Sequence, residues 1–189
     1  MGLGNPGAEY ADTRHNAGYL LADALAERWG LPPFRRAGRV RYAEGEVGGQ
    51  AVAILKPLTF VNRSGAAITP LLAEPGFDPA RDLLILVDEA ALPIGSFRLR
   101  ARGTAGGHNG LKSVQAALRS TEYPRFRIGV GPEQRDIEDL SDFVLGPFTD
   151  DEWRILESRV PDMTDAVDCW ITHGIEEAMN RYNQLGNVE

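Results

Sequence analysis

The segment LLILVDE at residues 83–89 constrains the fold of this chain more than any other stretch. Five apolar residues follow one another, whereas a strand with one solvent-facing side alternates apolar and polar residues. A continuous apolar run is typical of a strand that is covered on both faces of a sheet. Its two acids, Asp88 and Glu89, come at the C-terminal end, where open α/β sheets place their sites. The segment therefore predicts an α/β fold with a functional edge beside Asp88.

The rest of the chain alternates strand and helix signals. Strand patterns occur at residues 39–47, 51–57, 96–101 and 126–131, and helical patterns at residues 16–29, 110–119, 149–159 and about 161–183. The string VGGQ at 47–50 predicts a hairpin between the first two of these strands. Thr149 and Glu152 have the spacing of a capping box, which starts the third helix. Because no internal repeat or linker interrupts the pattern, we expect one domain spanning residues 1–189.

The composition limits the compartments and partners that fit the chain. Its 189 residues carry a net charge of −7, and its longest apolar runs are strand-sized, far short of a membrane span. It lacks a basic segment followed by an apolar run at its start, and its single cysteine, Cys169, has no internal disulfide partner. We therefore expect a cytoplasmic protein without membrane contact. The negative charge argues against a broad nucleic-acid surface, but arginines cluster at 98–103 and 124–127 and leave a local basic patch open.

The opening string MGLGNPG contains G-x-G-x-x-G at residues 2–7, which is a fingerprint of dinucleotide-binding folds. That fingerprint requires a strand before the first glycine and a helix that begins at the last one. Here only Met1 precedes it, Pro6 stiffens the turn, and a loop follows as far as Asn16. A dinucleotide-dependent enzyme is therefore the weaker interpretation. We expect the glycines to form a tight turn that presents Asn5.

Two histidines lie in short, polar, turn-forming strings, His15 in TRHNAG and His108 in GGHNG. An imidazole acts as a general base near neutral pH, and a carboxylate such as Asp88 orients it, as in catalytic triads. Each string also contains an asparagine, whose amide offers donors and an acceptor. The sequence has no G-x-S-x-G elbow, no H-E-x-x-H zinc motif and no P-loop. What remains is metal-free chemistry in which a histidine activates water against a reactive bond such as an ester.

Five segments resemble, in order and spacing, the signature segments of the bacterial-type peptidyl-tRNA hydrolases: GLGNPGAEYADTRHNAG, KPLTFVNRSG, LVDEAALPIG, GTAGGHNGLKS and YPRFRIGVG. The resemblance extends from residue 2 to about residue 183. It implies a single α/β domain with a twisted, mixed, mostly parallel sheet flanked by helices. It also implies cleavage of the ester between a peptide and the 3′ ribose of tRNA. The enzyme would be a monomer that needs no metal or other cofactor and binds the acceptor stem and 3′ end of peptidyl-tRNA.

The resemblance also implies roles for individual positions. His15 matches the family's catalytic base and Asp88 the carboxylate that orients it, while Asn5 matches the asparagine that helps separate N-blocked substrates from free aminoacyl-tRNA. Substrate-binding or auxiliary positions are matched by Tyr10, Phe60, Asn62, His108 and Asn109. Arg100 and Arg127 fall where the family has a basic pair that clamps the tRNA 5′ phosphate, a contact to which guanidinium groups are suited.

Four positions depart from the family pattern: Met1, Val61, Pro70, which falls inside the helix expected after Ser64, and Ala91. Met1 stands directly before GLGNPG, where family members have several strand-forming residues, so we expect a shortened first strand or a start further upstream. Val61 replaces a methionine beside the substrate asparagine, and Ala91 replaces a second acid. Two alternatives stay open at this point. One is a noncatalytic RNA-binding protein on the same fold, similar to relatives that serve in RNA splicing, and the other is a structural or interaction module.

Overall fold

The computed structural model describes residues 1–132 and 140–187. The strands are β1 (Arg35–Ala37), β2 (Val40–Val47), β3 (Gln50–Pro57), β4 (Ile85–Pro93), β5 (Phe97–Arg100) and β6 (Arg125–Gly131). The α-helices are α1 (Ala17–Arg28), α2 (Pro79–Asp82), α3 (Asn109–Leu118), α4 (Leu140–Leu145), α5 (Asp150–His173) and α6 (Ile175–Tyr182). Four 3₁₀ turns among these residues are Ala8–Tyr10, Arg14–Asn16, Val61–Ala67 and Leu71–Ala73. All five predicted strands occur, while β1, α2 and α4 were not predicted.

The first sheet is antiparallel, in the order β1-β2-β3. The predicted hairpin at VGGQ is confirmed, because Val47 pairs with Gln50 across a two-residue turn. Gly48 and Gly49 have φ angles of 57° and 81°, the left-handed conformation that such a turn needs and that glycine adopts without steric cost. The hairpin thus follows from two adjacent glycines between two strand-forming runs.

The second sheet has the order β4-β6-β5, with β4 parallel and β5 antiparallel to the central β6. The prediction of a mixed sheet flanked by helices is confirmed, but among the described strands antiparallel pairs outnumber the parallel pair, so "mostly parallel" is wrong. The reason lies in the connections. Only a short turn joins β4 to β5, which reverses the chain, and β6 inserts between them parallel to β4.

Residues 1–3 lie between the two sheets and join them. The Leu3 N–H donates to the Leu86 carbonyl at 2.9 Å, the Leu86 N–H donates to the Met1 carbonyl at 2.9 Å, and the Gly2 N–H donates to the Leu55 carbonyl at 2.9 Å. Gly2 forms a parallel bridge with Leu86. Residues 1–3 therefore form a short strand in a central position, with β3 on one side and β4 on the other.

The α-amine of Met1 is buried beside this short strand. It donates to the Leu84 carbonyl at 2.7 Å, and burial lowers its pKa to about 5. Next to it lies a cavity of about 580 Å³, lined mainly by apolar side chains that include Leu55, Leu84 and Trp170. The amine is thus held in a site where its charged form is poorly solvated.

Helices cover both faces of the second sheet, as the LLILVDE segment predicts. Leu25 of α1 and Met163 of α5 lie in one core cluster with Phe126 of β6, and Val114 of α3 lies in a second cluster with Val87 of β4. This double cover buries every residue from Leu83 to Asp88. None of the described helices has the length and apolar character needed to cross a membrane.

The predicted boundary between the last two helices is wrong. α5 continues through Pro161 to His173, and the break falls at Gly174, whose φ angle is 85°. Proline removes one helical N–H donor, but here the turns on either side of it remain packed through Leu156 and Met163. Tertiary packing therefore keeps the helix continuous although proline tends to end a helix. The helix ends instead at Gly174, whose positive φ angle favours glycine.

For a chain that begins at Met1, the buried amine predicts a pH dependence of stability. The pKa of the Met1 amine is about 5 in the folded protein and 8.0 in an unfolded chain, so between these values the unfolded state binds a proton that the folded state does not. The free energy of unfolding should therefore rise with pH from 5 to 8, by up to about 4 kcal/mol from this group. Thermal unfolding at several pH values, on protein with a free or an acetylated α-amine, isolates the effect. Identical pH profiles for the two forms would contradict it.

Candidate active site

A buried carboxylate, Asp88, holds two histidines in the middle of β4, which continues to Pro93 and does not end at the acids as the sequence predicts. The His15 Nδ1 lies 3.0 Å from each Asp88 carboxylate oxygen, and the His108 Nε2 lies 2.9 Å from Asp88 Oδ1. The two imidazole centroids are 5.0 Å apart. Asp88 is 4 % exposed and His15 9 %. The structure thus brings together three residues that are separated by at least 20 positions in the sequence.

The hydrogen bonds fix the roles of the ring nitrogens. His108 is the N-cap residue of α3, and its Nδ1 accepts the Leu111 N–H at 3.2 Å. An imidazole that accepts at Nδ1 carries its proton on Nε2, so His108 donates to Asp88. His15 likewise turns Nδ1 toward Asp88, which makes Nδ1–H the donor and leaves His15 Nε2 as the free base. Asp88 therefore accepts from both rings, and one basic nitrogen remains for chemistry.

Burial and hydrogen bonding oppose each other in the electrostatics of this cluster. Burial alone would raise the pKa of Asp88, but the two histidines outweigh it and hold that pKa at about 2. Burial would lower the pKa of His15, but the hydrogen bond and the negative charge of Asp88 raise it above 6.5. A carboxylate that stays ionised next to a histidine of raised basicity is the arrangement that supports general base catalysis.

The sequence around His15 explains how its ring reaches Asp88. His15 lies in the 3₁₀ turn Arg14–Asn16, directly before α1. The backbone of the first turn of α1 packs directly against the backbone of the strands. A Cβ atom at Gly18 would lie only 2.4 Å from the Leu86 carbonyl oxygen and 2.6 Å from that of Leu3. The string HNAG therefore needs its glycine, since any side chain at position 18 would push the histidine away from β4.

Asn5 forms a wall of the site with Asn16 and Val61. Asn5 Oδ1 accepts the Val61 N–H at 2.9 Å, and the backbone of Asn5 exchanges two hydrogen bonds with the Asn16 amide, at 2.8 and 3.0 Å. A Cβ atom at Gly4 would lie 2.9 Å from Asn16 Oδ1, so the glycine makes room for this contact. Asn5 therefore lies in the wall of the site, but the tight turn expected over residues 2–7 is not found, because Gly2 pairs with Leu86 and residues 3–6 contain no assigned turn. Asn16 was missed as a site residue, although its place next to His15 was the available signal.

The remaining predicted substrate residues lie around this centre with more exposure. Tyr10 and Phe60 meet edge to face, with ring centroids 6.3 Å apart, and Phe60 is 57 % exposed. Asn62 is exposed in the 3₁₀ turn that follows Phe60, and Asn109 is exposed at the start of α3, next to His108. Among the described contacts, neither asparagine touches His15 or Asp88.

The two predicted clamp arginines differ in their surroundings. Arg127 of β6 pairs with Glu89, donating from Nε to Glu89 Oε2 at 2.7 Å. Arg100 of β5 is half-buried and has no ion pair among the described residues. Arg125, also in the arginine-rich string at 124–127, is buried and donates to backbone carbonyls, including that of Gly103 at 2.7 Å. Arg125 is therefore structural, and Glu89 is a partner that the sequence analysis did not find.

His15, Asp88 and His108 also place potential metal-ligand atoms close enough together to hold one metal ion. The facing atoms of His15, Asp88 and His108 are within 4.8 Å of one another. These atoms already satisfy each other, because both rings donate to the carboxylate. Metal binding would have to replace two ring protons, so the hydrogen-bonded form is complete without an ion.

Removing the charge of Asp88 should lower the basicity of His15. In Asp88→Asn the hydrogen bond and the negative charge are lost while burial remains, so the pKa of His15 should fall below 6.5. An NMR titration of the histidine ring protons measures this directly. His173 at the end of α5, whose Nδ1 lies 2.6 Å from Thr172 Oγ1, has no described contact with Asp88 and supplies the reference ring signal. An unchanged His15 titration would contradict the assigned electrostatics.

Comparison with known proteins identifies the family. The sequence matches the peptidyl-tRNA hydrolase family profile over residues 1–188. It is 48 % identical over 182 residues to the peptidyl-tRNA hydrolase of Gemmatimonas aurantiaca, covering 95 % of this chain and 96 % of that protein. It is 45 % identical over 185 residues to that of Chloroflexus aurantiacus, covering 98 % of both chains.

The fold agrees with these sequence matches. The crystal structure of peptidyl-tRNA hydrolase from Acinetobacter baumannii superposes with a TM-score of 0.87 at 33 % identity, covering 96 % of this chain and 92 % of that one. These similarities do not support the dinucleotide-dependent, splicing-type or structural-module alternatives. Since the profile and the relatives span nearly the whole sequence, the chain belongs to the peptidyl-tRNA hydrolase family.

Proposed function

We propose that this protein hydrolyses the ester between an N-blocked peptide and the 3′ ribose of tRNA, with His15 as the base that activates water. The observation that carries the mechanism is the geometry at Asp88. His15 Nδ1 is 3.0 Å from the carboxylate, which leaves Nε2 as the free basic nitrogen of the cluster. His108 donates to the same carboxylate and keeps it oriented.

The proposed reaction proceeds in two proton transfers. His15 Nε2 takes a proton from water as the oxygen attacks the ester carbonyl carbon, and Asp88 stabilises the imidazolium that forms. The tetrahedral intermediate then collapses, and the imidazolium returns the proton to the leaving 3′ oxygen of the ribose. The products are tRNA with a free 3′ hydroxyl and the peptide carboxylic acid, which releases its remaining proton to solvent and becomes a carboxylate.

Asn62 and Asn109 are suited to hold the peptide and the developing oxyanion. Asn62 follows Val61, which donates its N–H to Asn5, and Asn109 follows His108, which is hydrogen-bonded to Asp88. Both asparagines are exposed. Asn109 Oδ1 accepts from Lys112 Nζ at 3.3 Å, so its Nδ2 remains available to donate. Donors placed in advance toward a developing negative charge are the main electrostatic contribution in acyl-transfer sites.

Asn5 is suited to distinguish blocked from free α-amines. Its Oδ1 is engaged by the Val61 N–H, and its Nδ2 donates to no described residue. The available group is therefore a donor, which favours the acyl carbonyl of a peptidyl substrate. A free aminoacyl ester instead presents an ammonium, which has donors only and finds no acceptor there.

Several further properties belong to the proposal. Tyr10 and Phe60 would line the channel for the peptide and the 3′ end, and Arg100 and Arg127 would contact phosphate of the acceptor stem. Residues 1–189 would act as one domain, in a cytoplasmic monomer that uses neither a metal nor another cofactor. The absence of base-specific contacts in such a clamp would let one enzyme process many tRNAs.

The decisive experiment compares N-acetyl-aminoacyl-tRNA with free aminoacyl-tRNA. Wild type should release the acyl group from the blocked substrate only, and His15→Ala should lose roughly 10² to 10⁴ in rate, as expected when a general base is removed. Circular dichroism and the melting temperature check that the variant remains folded. Binding of tRNA without release by wild type would exclude the hydrolase and favour the RNA-binding alternative.

The pairing of Arg127 with Glu89 predicts opposite effects on tRNA binding. Arg127→Gln should weaken the binding of deacylated tRNA. It should also reduce the slope of log binding constant against log salt concentration by about one, the value for one lost phosphate contact. Glu89→Gln should strengthen tRNA binding by roughly two- to fivefold, because a tRNA phosphate then no longer has to displace the Glu89 carboxylate from Arg127 in this partly exposed ion pair. Filter binding at several salt concentrations measures both.

Arg154→Gln is the matched control, since Arg154 lies on the exposed side of α5 and pairs with Asp151. It should leave the salt slope unchanged. If Arg127→Gln behaves like Arg154→Gln, Arg127 is not a phosphate contact. If Glu89→Gln weakens binding instead, Glu89 orients Arg127 rather than competing with phosphate.

A further inference from the structure

The three residues before His15 are joined to the segment between α4 and α5. The Phe148 N–H donates to the Asp12 carbonyl at 2.9 Å, Thr13 forms an antiparallel bridge with Pro147, and the Arg14 N–H donates to the Gly146 carbonyl at 3.1 Å. Three successive residues are thus paired, through two hydrogen bonds, with three successive residues that lie more than 130 positions away. The backbone leading into His15 is therefore held by the α4–α5 junction.

The side chain of Arg14 extends the same connection. Its guanidinium donates from Nε to Glu152 Oε1 at 3.2 Å and from Nη2 to Glu152 Oε2 at 2.7 Å. A third donor, Nη1, reaches the Phe143 carbonyl at 3.3 Å, and the guanidinium carbon lies 4.4 Å from the Phe143 ring centroid. Arg14 is 8 % exposed, so this two-point ion pair is largely removed from water.

Glu152 is fixed independently of Arg14. It is the N3 residue of the capping box of α5, in which Glu152 Oε2 accepts the Thr149 N–H at 2.7 Å. Burial would raise the pKa of Glu152, but the hydrogen bonds from Arg14 and Thr149 lower it, so the carboxylate remains charged. A Cβ atom at Gly146 would lie 3.0 Å from Arg14 Nη1, which shows how closely the junction fits the guanidinium.

We propose that Arg14 is a positioning residue for the catalytic base, and that its ion pair with Glu152 sets the distance between His15 and Asp88. This inference rests on the proposed function only for its effect on rate. Arg14 is adjacent to His15 in the same 3₁₀ turn, so a displacement of its anchored side chain moves the imidazole directly. The start of α5 thereby becomes part of the support of the active site.

The test replaces each partner while keeping much of its shape. Arg14→Met retains an apolar stem without donors, and Glu152→Gln retains an oxygen for the capping box without the charge. Both should lower kcat by about tenfold to 10²-fold with little change in KM, as expected for a misplaced base. Both should also lower the pKa of His15, because its contact with Asp88 lengthens, and the acidic limb of kcat/KM should move to lower pH. The double variant should be no worse than the more impaired single variant.

Arg28→Met is the matched control. Arg28 at the end of α1 also forms an ion pair with α5, donating from Nε to Asp168 Oδ2 at 3.0 Å, but it lies away from Asp88. It should lower the melting temperature without moving the His15 titration. If Arg14→Met and Glu152→Gln likewise lower only the melting temperature, the positioning role is wrong. The His15 titration by NMR decides this even if wild type hydrolyses no peptidyl-tRNA, which would overturn the proposed function instead.

Discussion

A buried carboxylate must be matched by donors, and in this protein the match at Asp88 determines how the surrounding elements are placed. One donor comes from His15 before α1 and the other from His108 at the start of α3, so helices on opposite faces of the sheet meet at one residue of β4. Losing either ring would leave Asp88 short of donors in a site that water reaches poorly. Folding and chemistry therefore depend on the same hydrogen bonds.

The close approach of backbone segments makes this meeting possible. Gly18 lets α1 touch Leu3 and Leu86, and Gly4 leaves space for the Asn16 amide beside Asn5. The short strand at residues 1–3 connects the junction of the two sheets to Asn5. Backbone hydrogen bonds and small residues, more than large side chains, fix the relative positions of Asn5 and His15.

Much of the fold could be predicted because its signals are local, whereas His15, Asp88 and His108 were named together through the resemblance to a family, since at least 20 positions separate them. LLILVDE, VGGQ and the Thr149–Glu152 capping box each act within a few residues, and the structure has the strand, hairpin and helix start that they predict. The direction of β5, the continuation of α5 through Pro161 and the Arg14–Glu152 pair depend on contacts between distant segments. A single sequence does not show which distant partner a buried arginine finds, so these features had to come from the structure.

The burial of Met1 has a practical consequence for anyone who handles this protein. Anything attached to its α-amine must pass through the space between β3 and β4, next to Leu55 and Leu84. A polar extension would place its first residues beside the apolar side chains that line the cavity there. A linker with apolar residues at the junction is better matched to that space, so the residues next to Met1 should be chosen as carefully as a core substitution.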